Sequence, residues 1–313
     1  MKNETAEAFY GALDRPLKRR LKKVPGLIRL KRLMSRKFDE ISTRIDEHKH
    51  RHEISTIKQF PIFAANSTGS FEDLMQLTVT AANQTFPFIV QFIESTTSVL
   101  FSEPAPIETF SNSDKARSAA TKLELLFNRY GSDKSTSHNY HHLYGLILSN
   151  PKSIGSLLEI GLGTNNVDVA SNMGIGGKPG ASLRAFRDFL PGVKIFGADV
   201  DRRILFEEQN IKTFFVDQTK PESFDALARA IDCKLDVIID DGLHSPNANI
   251  ASLAFACKNL SKGGWFVVED ISVNALPVWQ VVSRLLPSNY LSWIIAAKEG
   301  ILFVLRRNQD DSL

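Results

Sequence analysis

Beyond residue 116 the chain alternates short, continuous apolar runs with longer segments in which apolar residues recur every three or four positions. That alternation predicts strands buried on both faces joined by amphipathic helices, hence an α/β domain built on a mostly parallel sheet. The strands are expected at Ser156–Ile160, Lys194–Val200, Thr213–Val216, Leu235–Asp240 and Gly264–Val268. A last pair of runs, Trp293–Ala297 and Ile301–Arg306, flanks Lys298-Glu299-Gly300 and predicts an antiparallel C-terminal hairpin.

The first third has a different texture. Residues 15–37 interleave Leu17, Leu21, Val24, Leu27, Ile28, Leu30, Leu33 and Met34 with eleven Lys or Arg and no acid. A helix there, broken at Pro25-Gly26, would carry one apolar and one cationic face suited to an anionic lipid surface. Residues 39–58 read as a solvated helix. Its His48, His50 and His52 would point to different sides, which argues against a metal site. Phe71 to Phe101 is more apolar and helical, and Pro104-Ala105-Pro106 then marks a break within a linker over 102–116. The expected organisation is a basic amphipathic arm (1–38), a helical auxiliary region with linker (39–115) and a catalytic body (116–313), forming a homo-oligomer.

Composition narrows the classes. With 313 residues, 43% hydrophobic and 23% charged, the chain is ordinary globular material rather than a disordered, collagenous or disulfide-scaffold protein. Cys233 and Cys257 have neither zinc-site nor disulfide-framework spacing. The most apolar stretch, Phe86 to Phe101, is interrupted by Gln91 and Glu94, so no membrane span is expected. The start lacks a secretory pattern, and a cytoplasmic protein, peripheral at the inner membrane surface through residues 15–37, is the expectation. A net charge of +3 hides an asymmetry, since the basic arm leaves the remainder at −8; no nucleic-acid-binding body is expected.

The chemistry gathers at the ends of the expected strands. The first runs into Glu159-Ile160-Gly161-Leu162-Gly163, where glycines let a ligand approach the backbone. A dinucleotide fingerprint would need glycine at the sixth position, which is Asn166, and the next helix starts near Ser182, so a nicotinamide site is disfavoured. Asp199, at the end of the second strand, can accept hydrogens from a ribose diol, and Asp217 with Gln218 after the third can meet an adenine edge. The fourth and fifth strands deliver Asp240, Asp241, His244, Glu269 and Asp270. Such like charges would raise one another's pKa unless a cation neutralised them, and hard oxygen ligands favour magnesium, manganese or calcium. A neutral imidazole beside the ion could deprotonate a hydroxyl that the metal has acidified.

Together LLEIGLGTNN, GIGGKPGASLRAFRDFLPG, IFGADVD, VDQ, VIIDDGLH and GGWFVVED resemble a class I S-adenosylmethionine-dependent methyltransferase. Within that superfamily they most resemble the metal-dependent sugar O-methyltransferases of macrolide pathways. Tyr130-Gly131-Ser132-Asp133-Lys134, with His138 and Tyr140, is similar to a segment of the same family, and the resemblance covers residues 123–272. It implies a Rossmann-like fold and methyl transfer to a hydroxyl of a sugar or glycosylated acceptor. Glu159, Gly161 and Gly163 would line the methionine and ribose part of S-adenosylmethionine, Asp199 would hold the ribose, and Asp217 and Gln218 would approach adenine. Ser182 and Lys134 would lie near the methionine end or in a covering lid. Asp241, Glu269 and Asp270 would bind magnesium, with His244 as general base. The family commonly has serine where this chain has Leu243. A catechol-type acceptor and a noncatalytic membrane-associated scaffold are the alternatives.

Overall fold

The computed structural model describes Arg51 and residues 70–97, 100–101 and 103–309. The chain divides into two compact units, 1–85 and 86–313. The expected basic arm and most of the expected 39–58 helix, with His48, His50 and His52, lie outside the described residues. Helix α1 (Phe71–Thr96) contains the boundary between the units. Among the described residues, no helix is long and apolar enough to cross a membrane.

The second unit is a nine-stranded sheet with the spatial order β1-β8-β9-β7-β6-β2-β3-β5-β4. Its central strands β2 (Ser156–Ile160), β3 (Lys194–Asp199), β5 (Ile211–Phe215), β6 (Leu235–Asp240) and β7 (Leu260–Ile271) run parallel. Strands β8 (Tyr290–Ala296) and β9 (Ile301–Arg307) form the antiparallel hairpin, with β9 beside β7. The Rossmann-like, mostly parallel sheet with an antiparallel C-terminal hairpin is therefore the fold expected. Two short edge strands, β1 (Ala105–Pro106) and β4 (Glu207–Glu208), have no two-residue periodicity to reveal them. The segment read as a linker thus contributes β1, parallel to β8, and a 3-10 turn at Ile107–Phe110.

Alternation within the strands sends side chains to two cores. One face receives Leu157, Ile195, Val237, Ile239 and Val267 and packs against α2 (Asp114–Tyr130), α3 (His141–Ile147) and α4 (Ala181–Phe189). The other receives Leu158, Phe196, Ile238, Phe266 and Val268 and packs against α5 (Pro221–Ile231), α6 (Pro246–Asn259) and α7 (Leu276–Leu285). Both faces are covered, which is why the strands read as continuous apolar runs. Ser113 caps α2 by accepting from Ala116 N, and Gly131, at φ +77°, ends it with a left-handed residue that lets the chain turn back over the sheet edge.

Helices α2 and α3 meet at Gly145, where a β-carbon would lie 2.6 Å from Ala116 O and 2.7 Å from Ala120 Cβ. Phe127, Tyr144 and Phe186 interlock beside this contact with ring centroids 5.4–6.5 Å apart. A backbone carbonyl cannot swing aside as a side-chain tip can. Gly145→Ala is therefore expected to destabilise the protein by about 1–3 kcal/mol in denaturant unfolding, through overpacking rather than lost burial.

Candidate functional site

A cavity of about 790 Å³ opens at the carboxyl ends of β2, β3, β5, β6 and β7. Open α/β sheets bind ligands at this edge because every parallel strand ends there and the connecting loops are free to vary. Gly161, Gly163, Asp199, Asp217, Gln218, Asp241, His244, Glu269 and Asp270 line it, whereas Glu159, Ser182 and Lys134 lie beneath its floor.

The glycine loop is constrained from three sides. Gly161 has φ +94°, and a β-carbon on it would come within 1.9 Å of Asp241 O; one on Gly163, at φ +74°, would strike Met173 Sδ at 2.1 Å. Gly161 N donates to Ala198 O, and Leu162 N donates to Asp199 Oδ2 at 2.7 Å. Asp199 Oδ1 accepts from Asp201 N, so the acid expected to meet a ribose also fastens the loop to β3. Burial raises its pKa. Asp201 also lines the cavity and accepts from Thr164 Oγ1, Asn166 Nδ2 and the Arg203 guanidinium, which with the other hydrogen bonds holds its pKa low.

The pair expected to meet adenine is partly committed to the fold. Gln218 Nε2 donates to Asp240 Oδ1 and Ser252 Oγ, and its Oε1 accepts from Leu243 N. Asp240 turns away from the cavity: its other oxygen accepts from Asn249 Nδ2, and burial raises its pKa. This network shapes the turn 241–244, on which Asp241 N also donates to Ile160 O. Asp217 accepts from Thr219 and faces Lys220 Nζ at 2.9 Å.

The acids after β6 and within β7 owe their aim to irregular backbone. Between Val268 and Ile271 the pairing of β7 with β9 slips, so that Val268 faces Phe303 but Ile271 faces Ile301. This bulge holds Glu269 and Asp270, with Asp270 at φ +55°, and bulges redirect side chains in this way. His244 also has φ +55°. Left-handed backbone costs an L-residue about 1–2 kcal/mol, which the surrounding contacts must offset.

Oxygen or nitrogen atoms of Asp241, His244 and Asp270 all lie within 4.8 Å of one another. Two carboxylates and an imidazole suit a divalent ion by charge and by donor type. Glu269, expected in the same set, is instead gripped from behind: Tyr144 Oη donates to its Oε1 and Lys134 Nζ to its Oε2. Burial foremost, together with the charges of Asp241 and Asp270, raises its pKa against the opposing pull of Lys134. Lys134 Nζ also reaches Asp241 Oδ2 at 2.6 Å and Glu159 Oε1 at 3.2 Å. Burial alone would lower the Lys134 pKa, but the surrounding carboxylates raise it well above the ordinary value. Glu159 accepts from Ser182 Oγ through Oε2, while Oε1 makes the ion pair without a hydrogen bond, leaving a buried acceptor under the glycine loop.

Asp270 is held from the opposite side. Tyr140 Oη donates to its Oδ1 at 2.5 Å, and His138 Nδ1 lies 3.5 Å from the same oxygen and 3.0 Å from Glu299 O. The β8–β9 turn closes over this segment, with Lys298 N donating to Asn139 Oδ1 and Lys298 Nζ to Thr136 O. Tyr144 is the participant that the sequence does not reveal. Asp201, the second acid of IFGADVD, is the residue over which Asp199 is preferred for the ribose because Asp199 sits at the strand terminus, whereas nothing local connects Tyr144 with Glu269. The remaining imidazoles of this region, His141 and His142, pack with centroids 4.2 Å apart and enter no metal-type group among the described residues.

No family model matches the chain. Among curated proteins it is similar to the 8-demethyl-8-alpha-L-rhamnosyl tetracenomycin-C 2'-O-methyltransferase of Streptomyces olivaceus, 29% identical over 153 residues, which is 49% of this chain and 38% of that protein. It is also similar to the mycinamicin VI 2''-O-methyltransferase of Micromonospora griseorubida, 36% identical over 93 residues, 29% of this chain and 23% of that protein. The chain thus spans well under half the length of these relatives. A solved structure of the MycE methyltransferase from the mycinamycin pathway, in complex with Mg and SAH, aligns over 61% of this chain and 56% of its own with 22% identity and a TM-score of 0.49. The curated relatives bear out the resemblance drawn from the strand-end motifs.

Gly161→Ala tests the glycine loop directly. Both the positive φ and the Asp241 carbonyl oppose a methyl group there, so the variant is expected to lose about 2 kcal/mol or more in unfolding free energy.

Proposed function

We propose that this chain is an S-adenosylmethionine-dependent O-methyltransferase that uses a divalent metal, magnesium by preference, to methylate a hydroxyl of a sugar or glycosylated acceptor. The observation that carries this reading is the direct abutment of the glycine-lined floor on the Asp241, His244 and Asp270 group, where Gly161 touches the Asp241 backbone. A methyl donor on that floor and a hydroxyl beside those acids would share one cavity.

Gly161 and Gly163 give the donor access to the backbone, Glu159 offers its buried acceptor toward the methionine end with Ser182 behind it, and Asp199 offers carboxylate oxygens to the ribose. Gln218 shapes the adenine side through the 241–244 turn, and Asp217 faces the same region. Asp241, Asp270 and Glu269 are the acids that would hold the ion; Glu269 joins through an oxygen that Lys134 also claims. The bound ion would supply Lewis acidity to neighbouring hydroxyls, and the donor an electrophilic methyl group. His244 removes the proton from the acceptor hydroxyl, and its Nε2 lies 3.9 Å from Asp241 Oδ1. Sugar acceptors are favoured over catechols by the relatives' named substrates, the first of which is a rhamnosyl compound. We extend the proposal to a cytoplasmic homo-oligomer whose residues 15–37 touch anionic lipid, a reading supported by their eleven basic residues.

Calorimetric titration tests the centre of this proposal. S-adenosylmethionine and S-adenosylhomocysteine should bind and NAD should not; folded protein that binds neither of the first two would refute it. In the same assay His244→Ala should bind S-adenosylhomocysteine as the wild type does while turnover falls about 10²–10⁴-fold. Wild-type turnover in that variant would remove His244 from its role. Deleting residues 1–38 should abolish cosedimentation with phosphatidylserine vesicles, and undiminished binding would refute the lipid contact.

A further inference from the structure

Four carboxylates, those of Glu159, Asp241, Glu269 and Asp270, crowd around one end of the cavity, and a single buried ammonium is set among them. Lys134 is only 2% exposed, and its Nζ contacts three of the four, Glu159 on β2, Asp241 just after β6 and Glu269 on β7, three neighbouring strands. Asp241 Oδ2 and Glu269 Oε2 face this ammonium. Asp241 also belongs to the group whose donor atoms lie within 4.8 Å of one another. A cation bound there and the lysine would draw on the same negative charge from opposite sides. Lys134 reaches this position from outside the sheet, on the loop between α2 and α3, where Tyr140 N donates to Lys134 O at 2.8 Å.

We infer that Lys134 is an internal competitor for the divalent cation: its ammonium weakens metal binding at Asp241 and Glu269 while orienting both acids, so that the site takes up and releases its ion reversibly. This inference rests on the metal-dependent reading above and adds to it a residue that sets how tightly the ion is held. Two physical arguments support it. Asp241 and Asp270 each have one oxygen committed to the protein, to Lys134 and to Tyr140, whereas Glu269 has both engaged, by Tyr144 and by Lys134, so a cation at Glu269 must share Oε2 with the ammonium. A positive charge in hydrogen-bond contact with a ligand acid also repels a second cation with little screening in a buried setting. A lysine whose role was packing alone would leave the ion's affinity unchanged when replaced by a neutral side chain of similar length.

The test is isothermal titration of Mn²⁺ into the full chain at pH 8, with and without S-adenosylhomocysteine. Lys134→Met is expected to bind Mn²⁺ at least tenfold more tightly than wild type. Lys134→Arg, which restores the charge, should return the affinity to within about threefold of wild type; a Lys134→Arg affinity as tight as that of Lys134→Met would overturn the inference. Folded Lys134→Met with equal or weaker affinity would also overturn it. If Lys134→Met does not fold, the double variant Lys134→Met/Glu159→Gln, in which the acid outside the proposed metal set is neutralised together with the lysine, carries the same expectation. Failure of both to fold would make Lys134 a structural counter-charge and refute competition. Wild-type protein that binds neither Mn²⁺ nor S-adenosylhomocysteine would instead refute the methyltransferase reading on which the inference stands.

Discussion

The contact between the Lys134 ammonium and the carboxylates of Glu159, Asp241 and Glu269 is the constraint around which the acid-rich end of the cavity is arranged. A parallel sheet sends all its strand ends to one edge, so a sequence that ends several strands in acids gathers like charge whether or not a ligand is present. Buried charge is tolerable only when paired, because leaving water costs several kcal/mol per ion. The pairing charge cannot come from the strands themselves, which already supply the acids. It comes from the loop after α2, and the left-handed Gly131 and the close α2–α3 packing at Gly145 set that loop's path.

Around this centre the protein distributes its polar groups consistently. Ser182, Tyr144 and Tyr140 each engage one oxygen of an acid, and Gln218 with Asn249 engages both oxygens of Asp240. Asp270 faces the cavity with one oxygen held by Tyr140, whereas Glu269, gripped by Tyr144 and Lys134, and the buried Asp240 have both oxygens engaged. Rotation of a carboxylate about its terminal torsion is normally broad. A fixed donor on one oxygen narrows it, and the bulge at Glu269 and Asp270 supplies the remaining aim.

Much of this was legible in the chain. The apolar runs located the five central strands because both faces of the sheet are covered, and the helix after the glycine loop starts at Ala181, beside the expected Ser182. The boundaries that shifted are those where pairing rather than periodicity decides. β7 extends over Leu260–Ile271 because β6 and β9 both pair with it, and the two-residue strands exist only through their neighbours. In the site, Asp199, Asp241, His244, Glu269 and Asp270 were visible as strand-end residues. The commitment of Gln218 to Asp240 and of Glu269 to Tyr144 was not, because those contacts join positions 22 and 125 residues apart and leave no local pattern.

The clasp of the β8–β9 turn on the 133–140 segment gives the order of synthesis a meaning. Asp270 and its anchor Tyr140 are made before Glu299 and Lys298, which fix His138, Tyr140 and Asn139 in place. Domains tend to fold from the N-terminal side as the chain grows. The glycine-loop half of the cavity can therefore take shape on a nascent chain before the acidic half is fastened, so that the site is assembled in two instalments of which the second seals the first.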